Sequence, residues 1–139
     1  FLFLQIIFGA FVSGMDAGKI YNTWPLMGSN YFPDDTIVSN LFYLSSLNEP
    51  SLVQFIHRNL AYIILIFYFL IMVKIYKKRL VSYFKIIGIV GALLFLQILL
   101  GILTLLSGAQ IIISSLHQIS SIFLISSSIY LLYINTKTS

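Results

Sequence analysis

Apolar residues fall into four long runs, and the charged residues are nearly confined to the connections between them. The runs cover residues 1–14, 52–73, 86–106 and 112–134. At 1.5 Å per residue, the last three would form helices of about 32 to 34 Å, which is enough to cross a hydrocarbon layer of about 30 Å. The pattern therefore predicts an all-α integral membrane protein, built as a bundle of four transmembrane helices.

The first run is shorter than the other three. Its 14 residues would give about 21 Å of helix, roughly six residues less than a membrane span requires. The chain also begins with Phe1, inside this apolar run. We therefore expect a truncated first helix and a chain that is a fragment of a longer protein.

Composition supports a membrane protein and excludes several kinds of site. Of the 139 residues, 59% are hydrophobic and 9% are charged, whereas a soluble domain carries about 25% charged residues. The chain has no cysteine, so disulfides and thiolate metal sites are excluded. The net charge of +4 does not indicate nucleic-acid binding, because the basic residues lie mainly in one connection between apolar runs.

The distribution of charge also predicts the topology. The connection 74–85 contains five basic residues and no acid, and Lys137 adds another basic residue near the end of the chain. The loop 15–51 contains four acids and only Lys19. Because basic residues favour the cytoplasmic or matrix side, we expect 74–85 to be the inner loop and 15–51 to be the outer loop.

Two histidines lie at matching positions in the predicted helices. His57 is the sixth residue of the run 52–73, and His117 is the sixth of the run 112–134. Both helices would enter from the outer side, so each imidazole would lie about 8 Å inside the membrane. Neutral imidazole is a ligand for haem iron, and ionisable residues in a membrane span are candidates for function. The pair predicts a haem held by His57 and His117 as axial ligands.

Other interpretations of these histidines remain open at this point. Each could bond to a neighbouring polar group and serve packing alone. A zinc or copper site would lack ligands, because no cysteine or acid lies at that depth. Arg58, next to His57, is predicted either to pair with a haem propionate or to extend toward lipid headgroups.

The outer loop and three of the runs carry a recognisable set of motifs. They are AGKIYNTWPLMG at 17–28, QFIHRNLAY at 54–62, LGILTLL at 100–106 and SLHQ at 115–118. Together, in this order and spacing, they resemble the haem A synthase family in the form found in mitochondria and alphaproteobacteria. The resemblance covers nearly the whole chain, and the loop motif is its most specific part.

This resemblance implies an eight-helix fold of two similar four-helix halves, of which the chain corresponds to the C-terminal half. It implies that His57 and His117 hold a haem b used in electron transfer. The family oxidises a methyl group of haem o to the formyl group of haem A for cytochrome oxidase. The other half carries the oxidising site, so no catalytic residue can be assigned in this chain, and the chain alone is expected to be inactive.

The resemblance also implies partners and a location. These are the lipid bilayer, haem o and haem A, and further haem O synthase and an electron-transfer partner, with an oligomer left open and no nucleic acid. The expected location is the bacterial inner membrane or the mitochondrial inner membrane. The main alternative function is a b-type cytochrome membrane anchor in quinone-linked electron transfer. A respiratory-complex subunit without haem and half of a transporter are two weaker alternatives, the latter because intramembrane acids are absent.

Overall fold

The computed structural model describes residues 1–138, and the side chains of Lys137 and Thr138 lie outside the described part, as does the topology prediction drawn from Lys137. Four α-helices form the fold: α1 (Leu2–Gly14), α2 (Pro50–Lys77), α3 (Phe84–Leu106) and α4 (Ile111–Thr138). Four short 3-10 helices lie in the connections, at Ala17–Lys19, Val38–Phe42, Leu44–Asn48 and Val81–Tyr83. No β-strand occurs within residues 1–138, which confirms the all-α prediction.

The surface of the helices shows that lipid is their solvent. Within the described part of the chain, α2, α3 and α4 are long and apolar enough to cross a membrane, and α1 is shorter, with 13 residues. Large apolar side chains point outward from these helices; Phe95, for example, is 70% exposed and Phe123 is 60% exposed. So large an exposed apolar surface would be unfavourable in water. A helical membrane bundle is therefore confirmed.

Three of the helices, α2, α3 and α4, extend beyond the apolar runs that predicted them. The helix α2 begins at Pro50, in the first turn, where the missing N–H of proline costs nothing. It continues to Lys77 because Lys74 and Lys77, in its last turn, favour the negative end of the helix dipole. Only residues 78–83 of the predicted inner loop lie between α2 and α3.

The helices pack as two hairpins, α1 with α2 and α3 with α4, which meet where α2 contacts α3. We call the end that carries residues 15–49 the outer end and the end that carries residues 78–83 the inner end. Ile64, Val90, Leu94 and Leu124 form an apolar core. A second apolar cluster of Ile75, Tyr83, Ile86 and Ile87 lies at the inner end. These two clusters fill the inner half of the bundle, and the half nearer the outer end is left for polar side chains.

The orientation of the bundle can be tested directly, because the chain has no cysteine. Ser29, in the outer loop, and Ser82, in the inner connection, are both exposed. If basic residues hold the inner connection in the cytoplasm, a membrane-impermeant thiol reagent will label Ser29→Cys in intact spheroplasts. It will label Ser82→Cys only after permeabilisation. The reverse pattern would show that the topology prediction is wrong.

Candidate functional site

The two histidines occupy similar positions on the second helix of each hairpin. His57 lies seven residues after the first residue of α2, and His117 lies six residues after the first residue of α4. These steps correspond to about 10 Å and about 9 Å along each helix axis. Both residues are half-buried. The structure therefore places both histidines inside the outer half of the bundle, each within its own hairpin.

His57 is held against α1 by a glutamine and a glycine. The Gln5 side-chain nitrogen Nε2 lies 3.3 Å from His57 Nε2 and donates a hydrogen bond to the His57 backbone oxygen at 3.1 Å. One turn further along α1, a Cβ atom added at Gly9 would lie only 3.2 Å from His57 Cε1. The imidazole thus packs directly on the α1 backbone, where a larger residue would displace it.

His117 is held against α3 by the same two residue types. Gln97 Nε2 lies 3.2 Å from His117 Nδ1 and donates to the His117 backbone oxygen at 2.9 Å. A Cβ atom at Gly101 would lie 3.1 Å from His117 Cε1. Ser120 adds a hydrogen bond from its hydroxyl to Gln97 Oε1, at 2.5 Å. This second set has one more polar partner than the first.

Several buried polar atoms near the histidines have no protein partner. Among the described residues, these atoms are Gln5 Oε1, Gln54 Oε1, His57 Nδ1, Arg58 Nε and Thr104 Oγ1. All five lie within about one helical turn of a histidine or of its glutamine and glycine neighbours. Buried polar atoms are normally paired, because leaving one without a partner costs about 1–3 kcal/mol. Their concentration in the outer half of the bundle marks a region where a ligand could supply the missing partners.

Arg58 contacts the outer loop. Its guanidinium donates to three backbone oxygens, those of Thr23 at 3.0 Å, Leu26 at 3.2 Å and Tyr21 at 2.9 Å. Gln54, one turn earlier on α2, also donates to the Tyr21 oxygen at 3.2 Å. The terminal nitrogens of Arg58 therefore fasten the loop to α2, and only its Nε lacks a partner. Pairing with a propionate stays a prediction.

The loop segment held by Arg58 is a compact turn. The Thr23 hydroxyl accepts from the Gly28 amide and donates to the Leu26 oxygen, both at 2.8 Å. Gly28 has a φ of 69°, a left-handed value that favours glycine. Asn22 reaches the other hairpin, where it donates to the Leu105 backbone oxygen near the end of α3, at 2.9 Å. The segment thus links the outer ends of both hairpins.

Acidic residues fasten the rest of the outer loop. Tyr21 donates a hydrogen bond to Asp34, and Ser51 in the first turn of α2 donates to Asp35 at 2.5 Å. Desolvation and the bond to Asp34 raise the pKa of Tyr21 to about 12. Tyr21 therefore stays protonated, and able to donate this bond, throughout the physiological pH range.

The structure separates these histidines from the apolar space of the bundle. An apolar cavity of about 570 Å³ lies in the inner half, lined by residues that include Ile64, Tyr68, Val90 and Leu124 but neither histidine. In the described chain, no group of three or more His, Cys, Asp or Glu could hold a metal ion by itself. The chemistry of the site thus depends on the two imidazoles and on what they can bind jointly.

Sequence reasoning did not identify Gln5 and Gln97 as neighbours of the histidines. Gln5 and Gln97 each fall inside an apolar run, and the pattern of the run assigns them no partner. A repeated pattern could have revealed both residues. Phe3–Gly9 reads FLQIIFG and Phe95–Gly101 reads FLQILLG, with Gln and Gly at the same two positions.

The role of Arg58 in holding the loop can be tested with Arg58→Gln. A hydrogen bond to a charged group contributes about 1.5–3 kcal/mol, so losing such bonds should increase loop opening at least about tenfold. We expect hydrogen exchange at the Met27 and Gly28 amides to accelerate accordingly. The control is Arg79→Gln, in the exposed inner connection. Unchanged hydrogen exchange in Arg58→Gln would show that contacts within the loop keep it closed without Arg58.

Comparison with known proteins agrees with these features. Residues 1–129 match the family model COX15-CtaA, described as a cytochrome oxidase assembly protein. The heme A synthase of Pelagibacter ubique is 44% identical over 96% of this chain and 39% of its own length. Those of Rickettsia felis and Wolbachia pipientis wMel are 41% and 39% identical over 99% of this chain, and over 40% and 38% of their own lengths. No solved structure matches at a significant level.

The chain thus spans about two fifths of the length of these relatives. Three helices capable of crossing a membrane, together with alphaproteobacterial relatives, place it in the bacterial inner membrane as a multi-pass protein. The family model covers most of its residues. The chain therefore belongs to the COX15-CtaA family of cytochrome oxidase assembly proteins, which confirms the resemblance to haem A synthase.

Proposed function

We propose that this chain is the haem b-binding part of a haem A synthase and corresponds to the C-terminal half of its longer relatives. His57 and His117 are the axial ligands in this proposal. The observation that carries it is the pair of imidazoles on two spanning helices, each backed by a glutamine and a glycine. The relatives' printed name, heme A synthase, supports a haem as the ligand.

The residues present fit a haem better than another metal group. Two neutral imidazoles supply the axial ligands of a six-coordinate haem, whose ring provides the other four nitrogen ligands. A lone zinc ion would need further protein ligands, and no such cluster occurs in the described residues. The unpartnered Arg58 Nε offers one buried donor for an anionic group, in line with the propionate prediction.

A haem with two histidine ligands supplies electron transfer, since it leaves no open position at iron for oxygen. The contribution of this chain is then to bind and orient the haem and to keep water from it. The loop fastened by Arg58 and Asn22 covers the outer end of both hairpins and serves the last purpose. The oxidation of the haem o methyl group belongs, in this proposal, to residues outside this chain.

The proposal also includes the remaining predicted partners. Haem o is the substrate and haem A the product of the whole enzyme, with haem O synthase and an electron-transfer protein as partners. The b-type cytochrome anchor predicted as an alternative shares the same haem site. Membership of the assembly-protein family, over residues 1–129, favours the synthase.

The ligand assignment is tested by His57→Ala and His117→Ala, with Gln118→Ala as the control at an exposed neighbouring position. The detergent-purified chain and the control should show a low-spin b-type spectrum in the reduced-minus-oxidised difference. Each histidine variant should lose it, because one axial ligand is gone. A folded chain without haem, or histidine variants with an unchanged spectrum, would overturn the proposal.

The close packing of the His117 ring predicts a second effect. Gly101→Ala would place a Cβ atom 3.1 Å from His117 Cε1, so the ring must shift. We expect haem affinity to fall about tenfold, the scale typical of disturbed ligand support. Gly88→Ala is the matched control on the same helix, because its Cβ atom would meet nothing within 4 Å. Equal affinities in the two variants would contradict the packing argument.

A further inference from the structure

We propose that Gln97 and Gln5 are positioning residues that set the orientation and hydrogen bonding of the two axial imidazoles. The inference rests on the proposed haem site and goes beyond it by assigning two further residues. Each glutamine contacts both the ring and the backbone oxygen of one histidine. A side chain that touches both points restricts the rotation of the histidine relative to the neighbouring helix.

The two glutamines occupy equivalent places in the fold. Each lies on the first helix of a hairpin, within the repeated FLQI segment, and is followed four residues later by the glycine under the ring. Residues four apart share one face of a helix. Each first helix therefore presents an amide and a bare backbone patch together, and each second helix lays its histidine across both.

An imidazole that binds a metal needs a hydrogen-bond partner for its other nitrogen, and the Gln97 amide can provide one. A histidine that binds iron through Nε2 carries its proton on Nδ1, and that proton needs an acceptor. Gln97 lies at Nδ1 of His117 and leaves Nε2 available for a ligand. Turning the Gln97 amide about its terminal bond presents its oxygen to that proton and exchanges the nitrogen's bond to the His117 backbone oxygen for one to Ser120 Oγ. Ser120, which can donate or accept, can partner Gln97 in both orientations.

The first hairpin differs in one partner. Three residues after His117 lies Ser120, but three residues after His57 lies Leu60. Gln5 Oε1 accordingly has no partner, and its nitrogen lies at Nε2 of His57, while Nδ1 is unpartnered. Iron ligation through this Nε2 would require the Gln5 nitrogen to leave the ring, while its bond to the His57 backbone oxygen can remain. Gln97 should therefore mainly affect the basicity of its ligand, and Gln5 the orientation of its ring.

The decisive experiment compares Gln97→Leu with Gln97→Glu in the haem-loaded full chain and measures the midpoint potential and haem dissociation. Leucine removes the acceptor at Nδ1, so the potential should rise and the dissociation constant should increase about tenfold or more. Glutamate keeps the shape and offers a stronger acceptor, so the potential should fall. A residue that only filled space would not give shifts of opposite sign.

The control is Gln118→Leu, the same substitution on an exposed face next to His117, which should leave potential and affinity unchanged. For Gln5→Leu, we expect a shifted largest g value in the low-spin electron paramagnetic resonance spectrum, which reports the angle between the axial rings. Wild-type potentials in both Gln97 variants, with haem still bound, would overturn this inference alone. A folded wild-type chain without bis-His haem would instead overturn the proposed function.

Discussion

The structure depends on one constraint: a polar side chain within a membrane span finds no hydrogen-bond partner in lipid. Gln5, His57, Gln97 and His117 lie in otherwise apolar helices, and they satisfy this constraint by facing one another inside the hairpins. Their pairing sets how each helix is rotated. The outward surface of apolar residues such as Phe95 and Phe123 then follows, because those residues occupy the opposite faces.

The same constraint divides the bundle along its length. In the inner half, Ile64, Val90, Leu94 and Leu124 pack as an apolar core and need no polar partners. In the outer half, polar atoms concentrate around the histidines, several without a partner of their own. The loop that Arg58 and Asn22 hold covers the outer end of that half. The two halves therefore differ in chemistry: apolar packing holds the inner half together, and hydrogen bonds hold the outer half.

The sequence predicts the spans and the histidine pair because both depend on local features, namely apolar length and position within a run. The helix ends at Pro50 and Lys77 escaped prediction, since proline and lysine interrupt an apolar pattern without ending the helix. The partners of Arg58 lie more than thirty residues away in the chain, in a loop whose path no periodicity indicates. Gln5 was not identified because its role depends on a contact with His57, and in the sequence only the repeated FLQI segment indicates it.

The repeated FLQI segment explains the likeness between the hairpins, and one position on each second helix explains their difference. A Gln and a Gly at the same spacing give each histidine the same backing, as expected of two hairpins with a common design. The position three residues after the histidine then decides what the amide does. Ser120 satisfies Gln97 Oε1, whereas Leu60 leaves Gln5 Oε1 without a partner. One residue thus makes two similar histidine sites unequal, so the two imidazoles differ in their hydrogen-bond surroundings.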